Sequence, residues 1–298
     1  MKNLPSYHPF RSAQAKRKYY SLYDLHAKKW PTVSRTKMID TSWGPTFVRV
    51  GGPAGAPPIV LLPGVSNNSL MWIPNIKALS REFRTYAVDS IYDYGKSVYT
   101  RPIRGPKDYV NWLDQLFTGL RLKNGINLIG ASYGAWQASQ YALRFPKRLR
   151  KMVWLSPVGI VEPLGFGFIW RAILCALPLR SMTQQLCYWL SEDSVQKGGA
   201  AGELVEDMVD LGFTATRCFT TRKMIPPGIL TDSELKGLRV PTLVVVGINE
   251  KIYSALKAVE RVERVAPKIV TELVPGAGHD LFIVQADLVN NRVLKFLK

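Results

Sequence analysis

The sequence predicts an α/β fold: a mostly parallel sheet flanked by helices, with a helical cap inserted past the middle of the chain. Three observations carry this. Short, continuously apolar runs recur along the chain, as strands buried on both faces require. Helical patterns alternate with those runs, the arrangement that covers a parallel sheet. Residues 159–236 then break the rhythm with a helix-like, locally very apolar stretch that is too long for a loop.

Taken in order, residues 10–30 place Tyr19, Leu22, Tyr23, Leu25 and Trp30 at helical spacing, so the chain opens with a basic amphipathic helix packed on the body. Residues 37–40 and 46–50 flank the turn signal Trp43-Gly44-Pro45 and read as a hairpin. A central strand follows at 58–62. Helix and strand then alternate: helix 72–80, strand 84–88, helix 107–120, strand 126–129, helix 133–144, strand 152–155. Beyond the insertion come strands 242–246 and 270–274 and a closing helix over 281–297. Four segments result: an N-terminal helical extension (1–34), a first part of the core (35–158), a cap (159–236) and a second part of the core (237–298).

Composition narrows the class. The 298 residues are 47% hydrophobic and 21% charged, enough to bury a large core without disulfide staples. Three cysteines with no Cys-x-x-Cys pair predict buried thiols in a reducing compartment rather than a disulfide framework or a zinc site. The N-terminus has no apolar h-region, and the longest apolar stretch, 164–179, is broken by Arg171 and Pro178, so no transmembrane segment and a cytoplasmic location are expected. The net charge is +18, and it is uneven: residues 1–158 hold 24 basic and 7 acidic side chains, residues 159–236 hold 7 and 9. This favours solubility and weak association with anionic surfaces. The basic run 144–151 has no recognition motif or stacking aromatics beside it and reads as a solvated face, so no specific nucleic acid is expected.

The chemistry centres on Gly130-Ala131-Ser132-Tyr133-Gly134, a G-x-S-x-G pattern between an apolar strand and an amphipathic helix. A serine on so sharp a turn sits in strained backbone, so its neighbours must be small. Serine is a poor nucleophile without a base. Of three histidines, His8 and His26 lie in the N-terminal extension, whereas His279 follows a strand through the glycine-rich loop Pro275-Gly276-Ala277-Gly278. That placement lets an imidazole reach over the sheet end. Glu250, just after the strand 242–246, is the group expected to orient the imidazole, ahead of Asn249, Asp280 and Asp232. The oxyanion donors expected are the backbone amides of Tyr133, next to the nucleophile, and Val65, in the loop after strand 58–62. Asp89 ends a strand and is expected to be structural.

These pieces resemble the α/β-hydrolase superfamily over roughly residues 35–298: Leu-Leu-Pro-Gly (61–64), Ala-Val-Asp (87–89), the serine motif, Gly-Ile-Asn-Glu (247–250) and Gly-Ala-Gly-His (276–279). Within it, 71–76 (Met-Trp-Ile-Pro-Asn-Ile), 86–89 (Tyr-Ala-Val-Asp) and the acidic Glu250 resemble the carboxylesterase NP-type bacterial esterases. The resemblance implies an eight-stranded sheet, a cap between strands six and seven, and ester hydrolysis. Three positions depart from the family pattern: Pro63-Gly64 where His-Gly is usual, Glu250 where Asp is commoner, and Ala135 where the elbow often has a second glycine.

The function expected is therefore a serine carboxylesterase with a Ser-His-Glu triad and no cofactor or metal. Thioester, lactone, amide and carbon–carbon hydrolysis, acyl transfer, and a slow receptor-like binder share the same residues and stay open. The apolar cap, with Phe166, Phe168, Trp170 and Trp189 as expected pocket residues, points to a small hydrophobic ester substrate. The protein is expected to be a monomer or homodimer.

Overall fold

The computed structural model describes residues 4–298. One sheet of eight strands forms the body: β1 (Ser34–Ile39), β2 (Thr46–Gly51), β3 (Pro58–Leu62), β4 (Arg84–Val88), β5 (Ile126–Ala131), β6 (Leu149–Leu155), β7 (Thr242–Gly247) and β8 (Val270–Val274). Their spatial order is β1-β2-β4-β3-β5-β6-β7-β8. The β1–β2 and β2–β4 pairings are antiparallel and the remaining five are parallel. The predicted fold class is thus observed, and the strand order reverses between β3 and β5, where a crevice opens at the carboxyl ends of the strands.

Burial explains why these runs become strands. Every residue of β5 and β7 is buried. β1, at the sheet edge, is exposed over four of its six residues and carries Arg35 and Lys37, charges that discourage pairing with another chain. Helices cover both faces: α1 (Ala13–Ala27), α2 (Ile73–Glu82), α3 (Pro106–Gly119) and α4 (Tyr133–Arg144) precede the insertion. The insertion carries α5 (Phe166–Leu174), α6 (Arg180–Leu190), α7 (Glu192–Lys197) and α8 (Gly199–Cys218). After it come α9 (Asp232–Gly237), α10 (Ala255–Val265), α11 (Leu281–Val284) and α12 (Ala286–Leu297).

Two elements differ from expectation. The closing helix is interrupted at Gln285, where φ of −115° and ψ of 36° end α11 before α12 starts. Helix α10 had no counterpart in the sequence reading. Its inward stripe of Ala255, Ala258, Val259, Val262 and Val265 stands at amphipathic-helix spacing, so this helix is written in the local pattern and the sequence reading passes over it. The N-terminal helix packs as expected, burying Tyr19, Tyr23 and His26, and it lies against α8 of the insertion. No helix among the described residues is long and apolar enough to cross a membrane.

Candidate active site

Ser132 stands at the junction of β5 and α4 with φ 53° and ψ −117°, a conformation that a side chain with a Cβ rarely adopts. The surrounding structure enforces it. A Cβ on Gly134 would lie 2.4 Å from the Leu62 carbonyl oxygen, and one on Gly130 would lie 2.3 Å from the Gly134 backbone. Strand β5 therefore turns into α4 with no spare room, and the sharp bend presents the serine. Among the described residues the Ser132 hydroxyl has no hydrogen-bond partner, and the residue is 7% exposed toward a cavity.

That cavity measures about 320 Å³ and lies between the sheet's carboxyl edge and the inserted helices. His279, from the loop after β8, lines it. Its Nδ1 is 2.8 Å from Glu250 Oε2, which leaves Nε2 as the free nitrogen. The Glu250 side chain is fully buried, and its other oxygen accepts from the amides of Lys251 and Ile252, each at 2.9 Å. Every lone-pair direction that matters is committed, so the carboxylate is fixed and aims one oxygen at the imidazole. Burial alone would push His279 down. The charge and hydrogen bond of Glu250 outweigh it, and the imidazole's pKa is raised above the ordinary 6.5.

The loop after β3 supplies the facing wall. An added Cβ on Gly64 would stand 3.3 Å from Ser132 Cβ and 3.8 Å from its hydroxyl, so this backbone passes directly beside Ser132. Val65 and Tyr133 both line the cavity. Tyr133 is the first residue of α4, where the amide has no intrahelical acceptor. Among the described residues the Val65 amide has no acceptor either. The Gly64 amide is taken by Met71 Sδ at 3.2 Å.

The other sequence candidates sit elsewhere. Asp280 accepts from the amides of Ser194 (2.9 Å) and Gly278 (3.3 Å); Asn249 bonds Asp193; Asp232 pairs with Arg261. Asp89 is fully buried and takes the amides of Ser69 and Lys96 and the Tyr23 phenol, a brace for two loops.

The cap aromatics divide. Phe168 lines the cavity, but Phe166, Trp170 and Trp189 are not among its lining residues. Along helix α5 and the residues flanking it, the cavity-lining row is Leu164, Phe168, Ala172 and Cys175, spaced by four, four and three. Phe166 and Trp170, four apart, share the outer side and are 78% and 36% exposed. Trp189 instead has the Arg171 guanidinium 4.5 Å over its ring. Helix α6 contributes Thr183, Leu186, Cys187 and Leu190, and α8 contributes Met208, Gly212 and Thr216, again at helical spacing. Cys175 and Cys187, read from sequence as core thiols, are only half-buried and belong to this lining. Helix α7 does not contribute to the roof; it is bonded to the loops beside Glu250 and His279, through Asp193–Asn249, Ser194–Asp280, Glu192–Lys251 and the Lys197 contact with the Val284 carbonyl.

Fold and site together define a hydrolase of the α/β class, and comparison with known proteins agrees. The chain belongs to the alpha/beta hydrolase family, whose model matches residues 59–292. It is 33% identical over 285 residues to the uncharacterized carboxylesterase nap of Bacillus subtilis, covering 94% of this chain and 92% of that one. It is 32% identical to carboxylesterase YbfK of the same organism, covering 97% and 96%. The crystal structure of naproxen esterase (carboxylesterase NP) from Bacillus subtilis superposes with a TM-score of 0.88 at 30% identity, over 97% of this chain and all of that one. The resemblance to carboxylesterase NP-type esterases is met by these full-length relatives, and the chain is an enzyme of the esterase kind.

Proposed function

We propose that the protein hydrolyses uncharged, hydrophobic carboxylic esters through an acyl-enzyme formed on Ser132. The observation that carries the reading is the 2.8 Å contact from Glu250 to His279 Nδ1, which turns the remaining imidazole nitrogen to a cavity shared with a strained serine. Nε2 takes the Ser132 proton as Oγ attacks the ester carbonyl. The oxyanion so formed is met by the amides of Val65 and Tyr133, donors fixed before reaction. The imidazolium gives its proton to the leaving alcohol. A water then surrenders a proton to the same nitrogen, attacks the acyl-enzyme and releases the acid, restoring Ser132. Glu250 holds the tautomer and stabilises the imidazolium throughout.

Substrate chemistry follows from the lining. Leu164, Phe168, Leu186, Leu190, Met208 and Met224 dominate it, and its single carboxylate is Asp280, whose oxygens are already bonded to backbone amides. A charged acyl group would find no counter-ion there and would lose its hydration. Methionines adapt to irregular apolar shapes. The test is turnover of p-nitrophenyl esters of increasing acyl length by wild type beside Ser132→Ala. Turnover by wild type only, with an optimum at medium length, is expected; loss of about 10⁶-fold in the variant is the scale for a nucleophile. Equal rates for the two proteins would sink the mechanism.

A further inference from the structure

We infer that the buried Asp93–Arg222 ion pair is a positioning device for the oxyanion amides, one that makes their geometry depend on how the cap is seated. The inference rests on the ester-hydrolysis reading. It starts from Ser66, the residue after Val65. Residues 64–67 form a turn closed by the Asn67 amide on the Gly64 carbonyl at 3.3 Å. Ser66, third in that turn, has φ 59°, a left-handed conformation that favours glycine or asparagine. Something must hold it there. The Ser66 amide donates to both oxygens of Asp93, at 2.9 and 3.1 Å. Without that acceptor Ser66 can leave its left-handed conformation, the turn over 64–67 loosens, and the preceding Gly64–Val65 peptide unit, which carries the Val65 amide, can shift with it.

Asp93 is itself immobilised. Its Oδ1 accepts from the Tyr94 amide at 2.8 Å and is paired with the Arg222 guanidinium. The two side chains are 7% and 10% exposed. Arg222 adds a hydrogen bond from Nε to the Tyr92 carbonyl at 2.8 Å and stacks 3.9 Å over the Tyr94 ring, which lines the cavity. An apolar pair would fill this space as well; what the ions add is direction, imposed on three backbone groups of two loops.

Arg222 lies in the irregular stretch 220–231 that returns from α8 to the core. Three residues further on, the Ile225 carbonyl accepts the phenol of Tyr133 at 2.7 Å. Both amide-bearing residues are thus tied to one returning segment of the cap: Tyr133 directly, Val65 through Ser66, Asp93 and Arg222.

The test separates positioning from folding. Asp93→Asn and Arg222→Lys are assayed with the best p-nitrophenyl ester and with a matching trifluoromethyl ketone, which binds as the tetrahedral adduct. Expected is a fall in kcat of about 10²-fold, the scale of one lost oxyanion donor, with KM within about threefold. The ketone's affinity should fall in step with kcat/KM, and guanidinium should partly rescue Arg222→Ala. The double variant Asp93→Asn/Arg222→Gln leaves no unpaired buried charge and keeps the measurement on folded protein. Unchanged kcat, or a loss confined to KM, or undiminished ketone affinity, overturns the brace while wild-type turnover leaves the ester reading standing. An inert wild type removes both.

Discussion

Strand β5 with the turn into α4 and helix α5 of the cap face each other across the same cavity, yet they are built on opposite terms. All six residues of β5 are buried, and an added methyl at Gly130 or Gly134 collides with backbone. Helix α5 buries no residue fully; Phe166 and Ile173 are 78% and 66% exposed. Around Ser132 the fold tolerates almost nothing, and on the proposed mechanism position there must hold to fractions of an ångström. Across the cavity the wall made by α5 is thin and largely exposed. On the proposed mechanism, the contrast teaches that the reaction and the choice of substrate are written in parts of the molecule with very different mutational freedom.

The comparison is tested most severely at the acid. Glu250→Gln should lower kcat/KM by about 10³- to 10⁴-fold, as loss of the orienting carboxylate does in other triads. It should also move the pH profile. On the proposed mechanism the base works as neutral imidazole, and Glu250 raises the His279 pKa, so wild-type kcat/KM should fall as the pH drops through a value above 6.5. Without the carboxylate, burial pushes the other way and the acid limb moves to lower pH. The sign for stability is the reverse: the folded state holds this proton more tightly than the unfolded chain, so the pair stabilises the fold fully below pH 6.5 and the contribution is lost as pH rises through the folded value. An acid limb indifferent to Glu250→Gln would break the assignment.

Next in size is Gly134→Ala. The new methyl meets the Leu62 and Pro63 carbonyls at 2.4 and 2.6 Å, and urea unfolding should show a loss of about 3 kcal/mol, the upper range for overpacking. In the cap, Phe168→Ala should leave the triad alone but shift the acyl-length optimum, changing kcat/KM ratios between esters by about tenfold. Phe166→Ser, four-fifths exposed on the other side of the same helix, should leave both within error. The smallest effect has the opposite sign. Gly212→Ala in α8 meets only Thr183 Cγ2, at 3.7 Å, and should stabilise the protein by about 0.5–1 kcal/mol through helix propensity. If Gly134→Ala and Gly212→Ala behaved alike, the distinction between the two regions would fail.

How far the sequence can be read follows the same divide. The core strands are short apolar runs, and the serine turn carries its glycines in view, so fold and motif were legible from local pattern. The contact of Glu250 with His279 spans 29 residues but follows from chain order and strand ends. The cap was legible as helical but not as a surface: its most conspicuous aromatics face outward, and the cavity is lined instead by the row Leu164, Phe168, Ala172, Cys175. Helical spacing would have found that row had small residues and thiols been weighed with aromatics. Asp93 and Arg222 were invisible, since 129 residues separate them and neither stands in a motif.

Helix α7 has a consequence for how such enzymes can be recombined. Its six residues count as part of the insertion by position, yet its bonds run to Asn249, Lys251, Asp280 and Val284. A chimera cut at the ends of the insertion would import a foreign α7 onto the acid and histidine loops and put both partners of every such bond at risk. Crossovers placed to exchange only α5 and α6, residues 166–190, would carry new selectivity and leave this clasp with its own hydrolytic half.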